Sequence, residues 1–436
     1  MDTIAALSSG ALPAGIAVIR LSGPDAFQVT QLISDLGVHT GWAEDRKARL
    51  ASIFDPLTRE KLDRGLVLAF KAPHSFTGED VVELHLHGSR AIVDQLLASL
   101  SKLDNVRLAE PGEYTRRAFV NGKMDIVATE ALGDLIQAET QSQRRLAFTT
   151  ADGQLVSMYR NWRDKVLRSR AMIEADIDFA DEEDVPGSVA DAIYAEVPAL
   201  LKALQDQIKN AEVAERVREG FRIVIFGPPN AGKSTLLNAL AGREAAIVTD
   251  IPGTTRDMIE VQLELNGYLV RVVDTAGIRE TDETVEKLGV DRALGAAFEA
   301  DLVLNLSSDS VWSQLTEANQ LMVLTKADLR SEQINSEADV AISAKTGWGM
   351  DDLLALIGEK IGDAVAGLNE RAAGNRRHVA KMQKAVVHLG DIVASRPLEL
   401  NAESFRLAGQ QLSELTGEIG NEEILGEIFS SFCIGK

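Results

Sequence analysis

Lys233 and Ser234 stand directly behind a loop rich in glycine and proline, in the nine residues "GPPNAGKST" from Gly227 to Thr235. A glycine, four residues, then Gly232, Lys233 and Ser234 is the spacing of a phosphate-binding loop. In such a loop the backbone N–H groups wrap the phosphates, the lysine reaches the outer phosphates and the serine hydroxyl binds Mg²⁺. The contacts would come from Asn230, Ala231, Gly232, Lys233, Ser234 and Thr235. "FRIVIF" before the loop reads as a strand and "TLLNAL" after it as a helix, which is the order this chemistry needs. Taken alone, the loop says only that a nucleotide binds.

Four further stretches narrow the nucleotide. "LVRVVDTAG" ends an apolar strand at Asp274, suited to hold Mg²⁺ through water, and Thr275, Ala276 and Gly277 follow, with the Gly277 N–H aimed at a terminal phosphate. Between the two lies Thr249 and then "DIPGTTRD", that is Asp250, Ile251, Pro252, Gly253, Thr254 and Thr255, in which Thr255 is placed to bind Mg²⁺ when the third phosphate is present. "LTKADL" carries Lys326 and Asp328, and a carboxylate there accepts from both guanine N–H donors, a pattern adenine cannot satisfy. "SAKTG" adds Ser343, Ala344 and Lys345 after the strand "DVAI". A solvated Lys-Asp turn would account for "TKAD" by itself; five motifs in the correct order imply a GTPase. Thr325 stands where this base-reading motif usually has Asn, a change that loosens base or loop contacts without changing which base is read. Ile278 follows "DTAG" and cannot orient water as a glutamine would. The missing group must come from elsewhere, from Asn230 with a monovalent cation or from the acidic run "RETDETVEKLG", whose plainer reading is a solvated charge run.

The elements that must position these residues are set by the whole chain. At 436 residues it is long enough for two to four domains at about 150 residues each. Lys+Arg 45 against Asp+Glu 66 leaves a net charge of -21, which excludes sequence-blind nucleic-acid binding over most of the surface. RNA contact is confined to a local patch or to a partner. No basic start precedes an apolar run, and no stretch of about 18 apolar residues occurs, so a cytosolic protein without membrane attachment is expected. Cys433 is the only cysteine, which rules out an internal disulfide.

"GIAVIRLSG", "RGLVLAFKA" and "DVVELHLHG" alternate as strands, and "DAFQVTQLISDL" and "RAIVDQLLASL" have the helical period, predicting an α+β or α/β domain over 1–120. Helical spacing then holds over 121–217, strands and helices alternate over 218–372 as in a parallel sheet with helices on both faces, and the helical period returns over 373–436. The expected fold is multidomain, α/β and α: an N-terminal α+β domain, a helical domain, and a Ras-like phosphate-loop GTPase domain inserted in the helical one.

With "GPPNAGKST", "DIPGTTRD", "DTAGIRE" and the terminal "FCIGK", the chain resembles the MnmE (TrmE) family of tRNA-modifying GTPases over its full length. "VIRLSG", "SFTGEDVVELHLHG", "PGEYTRRAF" and "DFADEED" carry the likeness through the flanks. Thr325 for Asn and a short connection from "DTAG" to "TKAD" are departures. The resemblance implies a homodimer formed through N-terminal domains that bind 5-formyl-tetrahydrofolate or a related one-carbon folate at Arg20, Glu83, Lys123 and Lys436. A carboxylate suits a pterin edge and cations suit a glutamate tail. It implies a heterotetramer with an FAD-dependent MnmG-type protein that adds a carboxymethylaminomethyl-type group to carbon five of the wobble uridine of certain tRNAs. It also implies K⁺ held by Asn230, Thr249, Ile251 and Thr254 where an arginine finger would act, and Glu286 as the catalytic carboxylate that orients water. A ribosome-assembly or other RNA-related regulatory GTPase is the alternative, and would call for a basic appendage after the G domain.

Two features imitate other chemistry. His85 and His87 share a strand face with Glu83 at metal-ligand spacing, but without a further ligand a hydrogen-bonded surface or pocket role accounts for them. Cys433 reads as a small buried apolar residue or, through the family motif, as a thiol near the folate site.

Overall fold

The strands of the first unit owe their faces to two-residue alternation, which puts one set of side chains into a core and leaves the other set free. The computed structural model describes residues 2–38, 41–43, 46–178, 189–243, 245–247, 260–274, 294–315, 319–329, 337–366, 374–417, 428–429, 432 and 435. Contacts divide the chain into two units, Met1–Gly133 with Tyr159–Arg163 and Gln410–Lys436, and Asp134–Met158 with Asp164–Gly409.

In the first unit β1 (Thr3–Leu7), β2 (Ala14–Ser22), β3 (Arg49–Phe54), β4 (Lys61–Phe70), β5 (Val81–Gly88) and β6 (Val106–Leu108) form one sheet in the order β3-β4-β5-β2-β1-β6. Only the β1–β6 pair is parallel. Ala17, Ile19 and Leu21 of β2, Val67 and Ala69 of β4, and Val82, Leu84 and Leu86 of β5 are buried with the apolar sides of α1 (Ala26–Ile33) and α2 (Arg90–Leu100). The opposite face carries the row Leu50, Leu66, His85 and Val18, with Leu50 56% and Leu66 42% exposed. Near β1 that second face is covered, because Tyr114 of α3 (Glu113–Val120) packs with Ile4, Ala6 and Ala109.

The sequence pattern did not predict β1, β3 or β6. "TIAAL" has no polar alternation because Thr3, Ile4, Ala5 and Ala6 are all buried, and β6 has only three residues. The end of the chain returns to this unit: the Ser8 hydroxyl donates to the Gly435 carbonyl over 2.8 Å, and Phe429 and Phe432 are buried. Gly435, at φ +97, lies so close to β1 that a Cβ would sit 2.0 Å from the Leu7 carbonyl oxygen.

The helical run contains α4 (Ile126–Gln137), α5 (Gln141–Ala151), α6 (Gln154–Asp178) and α7 (Val189–Glu219). After it come β7 (Phe221–Phe226), α8 (Lys233–Ala241), β8 (Glu260–Leu265), β9 (Tyr268–Asp274), β10 (Leu302–Ser307), β11 (Gln320–Leu324), β12 (Val340–Ala341) and α9 (Met350–Val365). Their sheet runs β12-β11-β10-β7-β9-β8, and β8 alone is antiparallel to its neighbour. This is the strand order of a Ras-like G domain, as expected from the sequence. Every residue of β10 is buried, which explains its continuous apolar character: a central parallel strand is covered on both faces. Leu353, Ile357, Ile361 and Val365, one per turn, seat α9 on that core.

Beyond the sheet come α10 (Arg376–Gly390), in the second unit, and α11 (Leu398–Thr416), whose residues from Gln410 on are counted with the first. Asn375 caps α10, its Oδ1 accepting from the His378 N–H over 3.0 Å. The segments on either side of the G domain meet: a Cβ on Gly374 would lie 3.0 Å from that of Ala211, and Arg376 pairs with Glu215 at 3.1 Å and with Glu219.

Candidate functional site

The phosphate loop follows the carboxyl end of β7, and its backbone shape is dictated by three positive φ angles: Gly227 at 150°, Asn230 at 62° and Gly232 at 98°. Gly227 has no alternative, since a Cβ there would lie 2.5 Å from the Leu306 carbonyl oxygen. Gly232 opens α8, whose Leu236, Leu237 and Leu240 anchor it in the core, so the helix N-terminus adjoins the loop. The Lys233 Nζ lies over the same loop and donates to the Gly227 and Pro228 carbonyls, each at 2.9 Å. Ser234 donates from Oγ to Asp274 Oδ2 over 2.8 Å, and Asp274 is buried at the end of β9. A hydroxyl and a carboxylate side by side are hard oxygen donors of the kind Mg²⁺ takes.

The base-reading segments also converge. Ala327 donates its N–H to the Ile342 carbonyl over 3.1 Å, which ties "TKAD" to "SAKTG". Lys326 has φ +55 and is exposed, and Asp328 is exposed, while Ser343 is buried with its Oγ accepting from the Thr346 N–H. Ala344 is half-buried and Lys345 exposed. Thr325 is buried, and its hydroxyl lies 2.6 Å from the Ala231 carbonyl oxygen and 3.1 Å from that of Ser307. The loop contact that the sequence expected Thr325 to loosen is therefore made. Ser307 and this bond across 94 positions were not legible in sequence. Thr249, Asp250, Ile251, Pro252, Gly253, Thr254, Thr255, Thr275, Ala276, Gly277, Ile278 and Glu286 lie outside the described residues.

In the first unit Arg20 and Glu83 are direct cross-strand partners on β2 and β5. Arg20 donates to Glu83 Oε1 from Nε at 3.1 Å and from Nη2 at 2.9 Å, and its guanidinium lies 5.7 Å from the Phe76 ring centre and 5.5 Å from that of Tyr114. Tyr114 donates its hydroxyl to the Arg20 carbonyl over 2.6 Å, and burial pushes that phenol well above its ordinary pKa. His85 Nε2 sits 3.3 Å from Glu83 Oε2, whereas His87 Nδ1 lies 2.8 Å from Asp63 Oδ1. The two histidines thus have separate carboxylate partners, and no group of metal-ligating side chains forms among the described residues. Lys123 is exposed, its Nζ donating to the Pro73 carbonyl at 2.9 Å. Lys436 and Cys433 lie outside the described residues.

A second feature of this unit was not read from sequence. Arg117 and Glu113, both buried, pair at 3.0 Å, and Arg117 also reaches Glu79 at 3.1 Å and Asp2 at 3.0 Å. Burial opposes the charge on Glu113, but hydrogen bonds from Arg107, the Glu110 N–H and Arg117 outweigh it and hold the carboxyl below its ordinary pKa.

In the second unit a cleft of about 910 Å³ opens at the start of β7, away from the phosphate loop. Its arginines are matched by carboxylates, Arg216 with Asp301, Arg222 with Glu299, Arg271 with Glu260 and Arg376 with Glu215. With its cations engaged it is poorly suited to an anionic nucleotide.

Comparison with known proteins covers the whole chain. Residues 3–123 match the family described as GTP-binding protein TrmE N-terminus, and residues 126–433 match the MnmE helical domain. A tRNA modification GTPase MnmE from Mesorhizobium japonicum is 48% identical over 445 residues, covering 100% of this chain and 99% of that protein. One from Agrobacterium fabrum is 46% identical over 442 residues, with the same coverage of both chains. Among solved structures, Aquifex aeolicus Era bound to GDP and AlF4- is 26% identical, covering 32% of this chain and 56% of that one at a TM-score of 0.25, a likeness too slight to argue from.

Proposed function

The chain belongs to the MnmE (TrmE) family of tRNA modification GTPases, and on that premise we propose how its parts serve the reaction. It is a GTP-hydrolysing tRNA modification enzyme. GTP binds with its phosphates on the loop from Asn230 to Thr235 and its guanine against Lys326, Asp328, Ser343, Ala344 and Lys345. One arrangement carries this reading: the Ser234–Asp274 hydrogen bond lies at the same carboxyl edge of the sheet as the hydrogen-bonded pair of base-reading loops.

Ser234 and Thr255, with Asp274 behind a water, would hold Mg²⁺; Asn230, Thr249, Ile251 and Thr254 would hold K⁺. These cations, when bound, offset the charge on the phosphates. Residues 249–255 and 274–277 would add contacts to GTP, and Glu286 would orient the attacking water.

In the N-terminal domain Arg20, Glu83, Lys123 and Lys436 hold 5-formyl-tetrahydrofolate or a related one-carbon folate. The fit rests on a guanidinium–carboxylate pair set over two aromatic rings. The uncovered sheet face with Leu50 and Leu66 supports a homodimer formed there. An FAD-dependent MnmG-type partner completes a heterotetramer that adds a carboxymethylaminomethyl-type group to carbon five of the wobble uridine. No described helix is long and apolar enough to cross a membrane. The reading places this work on tRNA in the cytoplasm. The organisation is 1–120 for folate and dimerisation, 121–217 and 373–436 as one helical domain, and 218–372 as the inserted G domain.

Nucleoside analysis of tRNA from cells lacking this protein tests the reading. Wobble uridines should lose their carbon-five substituent, and their persistence would refute it in favour of a regulatory GTPase.

A further inference from the structure

Thr325 lies one residue beyond β11 and touches two other segments at once. Its N–H donates to the Ser307 carbonyl at the end of β10 over 2.8 Å, its hydroxyl sits 2.6 Å from the Ala231 carbonyl oxygen of the phosphate loop, and Gly232 passes with its Cβ position 3.8 Å from the Thr325 side chain. A hydroxyl has a single proton to give. The shorter contact takes it, so it goes to Ala231, with the Ser307 oxygen already served by the N–H. Ala231 and Thr325 are both buried, and water does not replace the bond if it is lost.

The loop that this bond holds is one a free chain would seldom adopt, with non-glycine Asn230 and two glycines at positive φ. We propose that Thr325 is a positioning residue of the GTP site: it fixes the phosphate loop through the Ala231 carbonyl before nucleotide arrives. Base recognition is then left to Asp328 and the loop at Ser343. The consequence is a division of labour. Loss of the Thr325 hydroxyl weakens binding through the phosphates, whichever purine is attached, because the nucleotide must then order the loop itself. Loss of the Asp328 carboxylate weakens binding according to the N–H donors the base offers it, two in guanine and one in hypoxanthine.

The proposal rests on the reading of this loop as a GTP site, and the experiment separates the two. Dissociation constants for GDP and IDP are measured on the full chain for the parent, Thr325→Val, Thr325→Ser and Asp328→Asn. Thr325→Val keeps the shape and removes the donor, leaving a buried carbonyl unsatisfied, and is expected to weaken GDP and IDP alike by about tenfold. Thr325→Ser restores the donor and should bind both within about twofold of the parent. Asp328→Asn should instead lower the preference for GDP over IDP. Unchanged affinity in Thr325→Val overturns the proposal, as does a changed GDP-to-IDP ratio in that variant. Should Thr325→Val fail to fold, Thr325→Ser still decides: weakened binding there assigns the role to the methyl group and overturns the tether. A parent that binds neither nucleotide refutes the site itself rather than the role of Thr325.

Discussion

Ser234 in the first turn of α8 donates its hydroxyl to Asp274 at the last position of β9, 2.8 Å away, although 40 positions separate them. The contact is possible because β7 and β9 are parallel neighbours, so the loop after one and the end of the other share an edge of the sheet. Mg²⁺ inserted here would take the hydroxyl oxygen directly and the carboxylate through water. Asp274→Asn keeps shape and removes the charge, while Ser234→Ala removes the ligand. Both should abolish most of the tightening of GDP that Mg²⁺ gives the parent, an effect of tenfold or more at about 1.4 kcal/mol per factor of ten. A fluorescent GDP titrated with and without Mg²⁺ measures it. Parental Mg²⁺ dependence in both variants would exclude the pair from the metal site.

Asn230 offers a test of the proposed K⁺ site that avoids a common artefact. Its φ of 62° costs an ordinary residue about 1–2 kcal/mol, so Asn230→Ala alone would mix loop strain with loss of the amide. Asn230→Gly accepts the conformation and still removes the amide oxygen. GTP turnover of the parent should rise in K⁺ over Na⁺, and the rise should vanish in both variants. K⁺ stimulation that survives in Asn230→Gly would remove the side chain from the ion's shell.

What the sequence made legible follows from how local each signal is. "GPPNAGKST", "DTAG", "TKAD" and "SAKTG" are short motifs at strand ends, so reading the strands also places the described parts of these motifs on one edge. The Thr325 tether spans 94 positions and depends on β7, β10 and β11 being neighbours, which no periodicity reveals. In sequence Arg20 and Glu83 stand apart, one a cation for a glutamate tail and the other a carboxylate for a pterin. Only the register of β2 on β5 makes them partners of one another. The strand β1 gives no strand signal in the sequence because burial on both faces erases its alternation.

That mutual pairing alters what is expected of the folate site. A ligand that uses either charge must compete with the Arg20–Glu83 bond, whose side chains are 17% and 19% exposed. Arg20→Gln and Glu83→Gln should each weaken formyl-folate binding about tenfold or more, since each also leaves the other charge without its partner. Lys123→Ala, which removes an exposed amine, should have the smaller effect. Calorimetry on the full-length variants measures this, and parental affinity in both Arg20→Gln and Glu83→Gln would place the folate elsewhere.

The Arg117 cluster predicts a pH signature for the first unit. Glu113 is held below its ordinary 4.5 in the folded state, so at pH 7 it contributes stability that is fully present above 4.5 and is lost as pH falls through the lower folded value. Arg117→Met removes the cation that Glu113, Glu79 and Asp2 share, and at neutral pH it should destabilise the unit by about 3 kcal/mol, because Glu79 loses its cation and Glu113 and Asp2 are left to Arg107 alone. In that variant Glu113 keeps the Arg107 and Glu110 N–H hydrogen bonds but loses those from Arg117, so its pKa moves up toward the ordinary value, the carboxyl is neutralised earlier on acidification and the penalty stops growing. The two stability curves should therefore converge below about pH 4.5, the ordinary value, with the parent falling faster. Trp42 lies in the core of this unit and reports on it once the other three of the four tryptophans are replaced by phenylalanine. Urea unfolding followed by Trp42 fluorescence at a series of pH values decides the matter. Curves that stay parallel from neutral to acid would mean that Arg117 stabilises by packing its stem, with no electrostatic share.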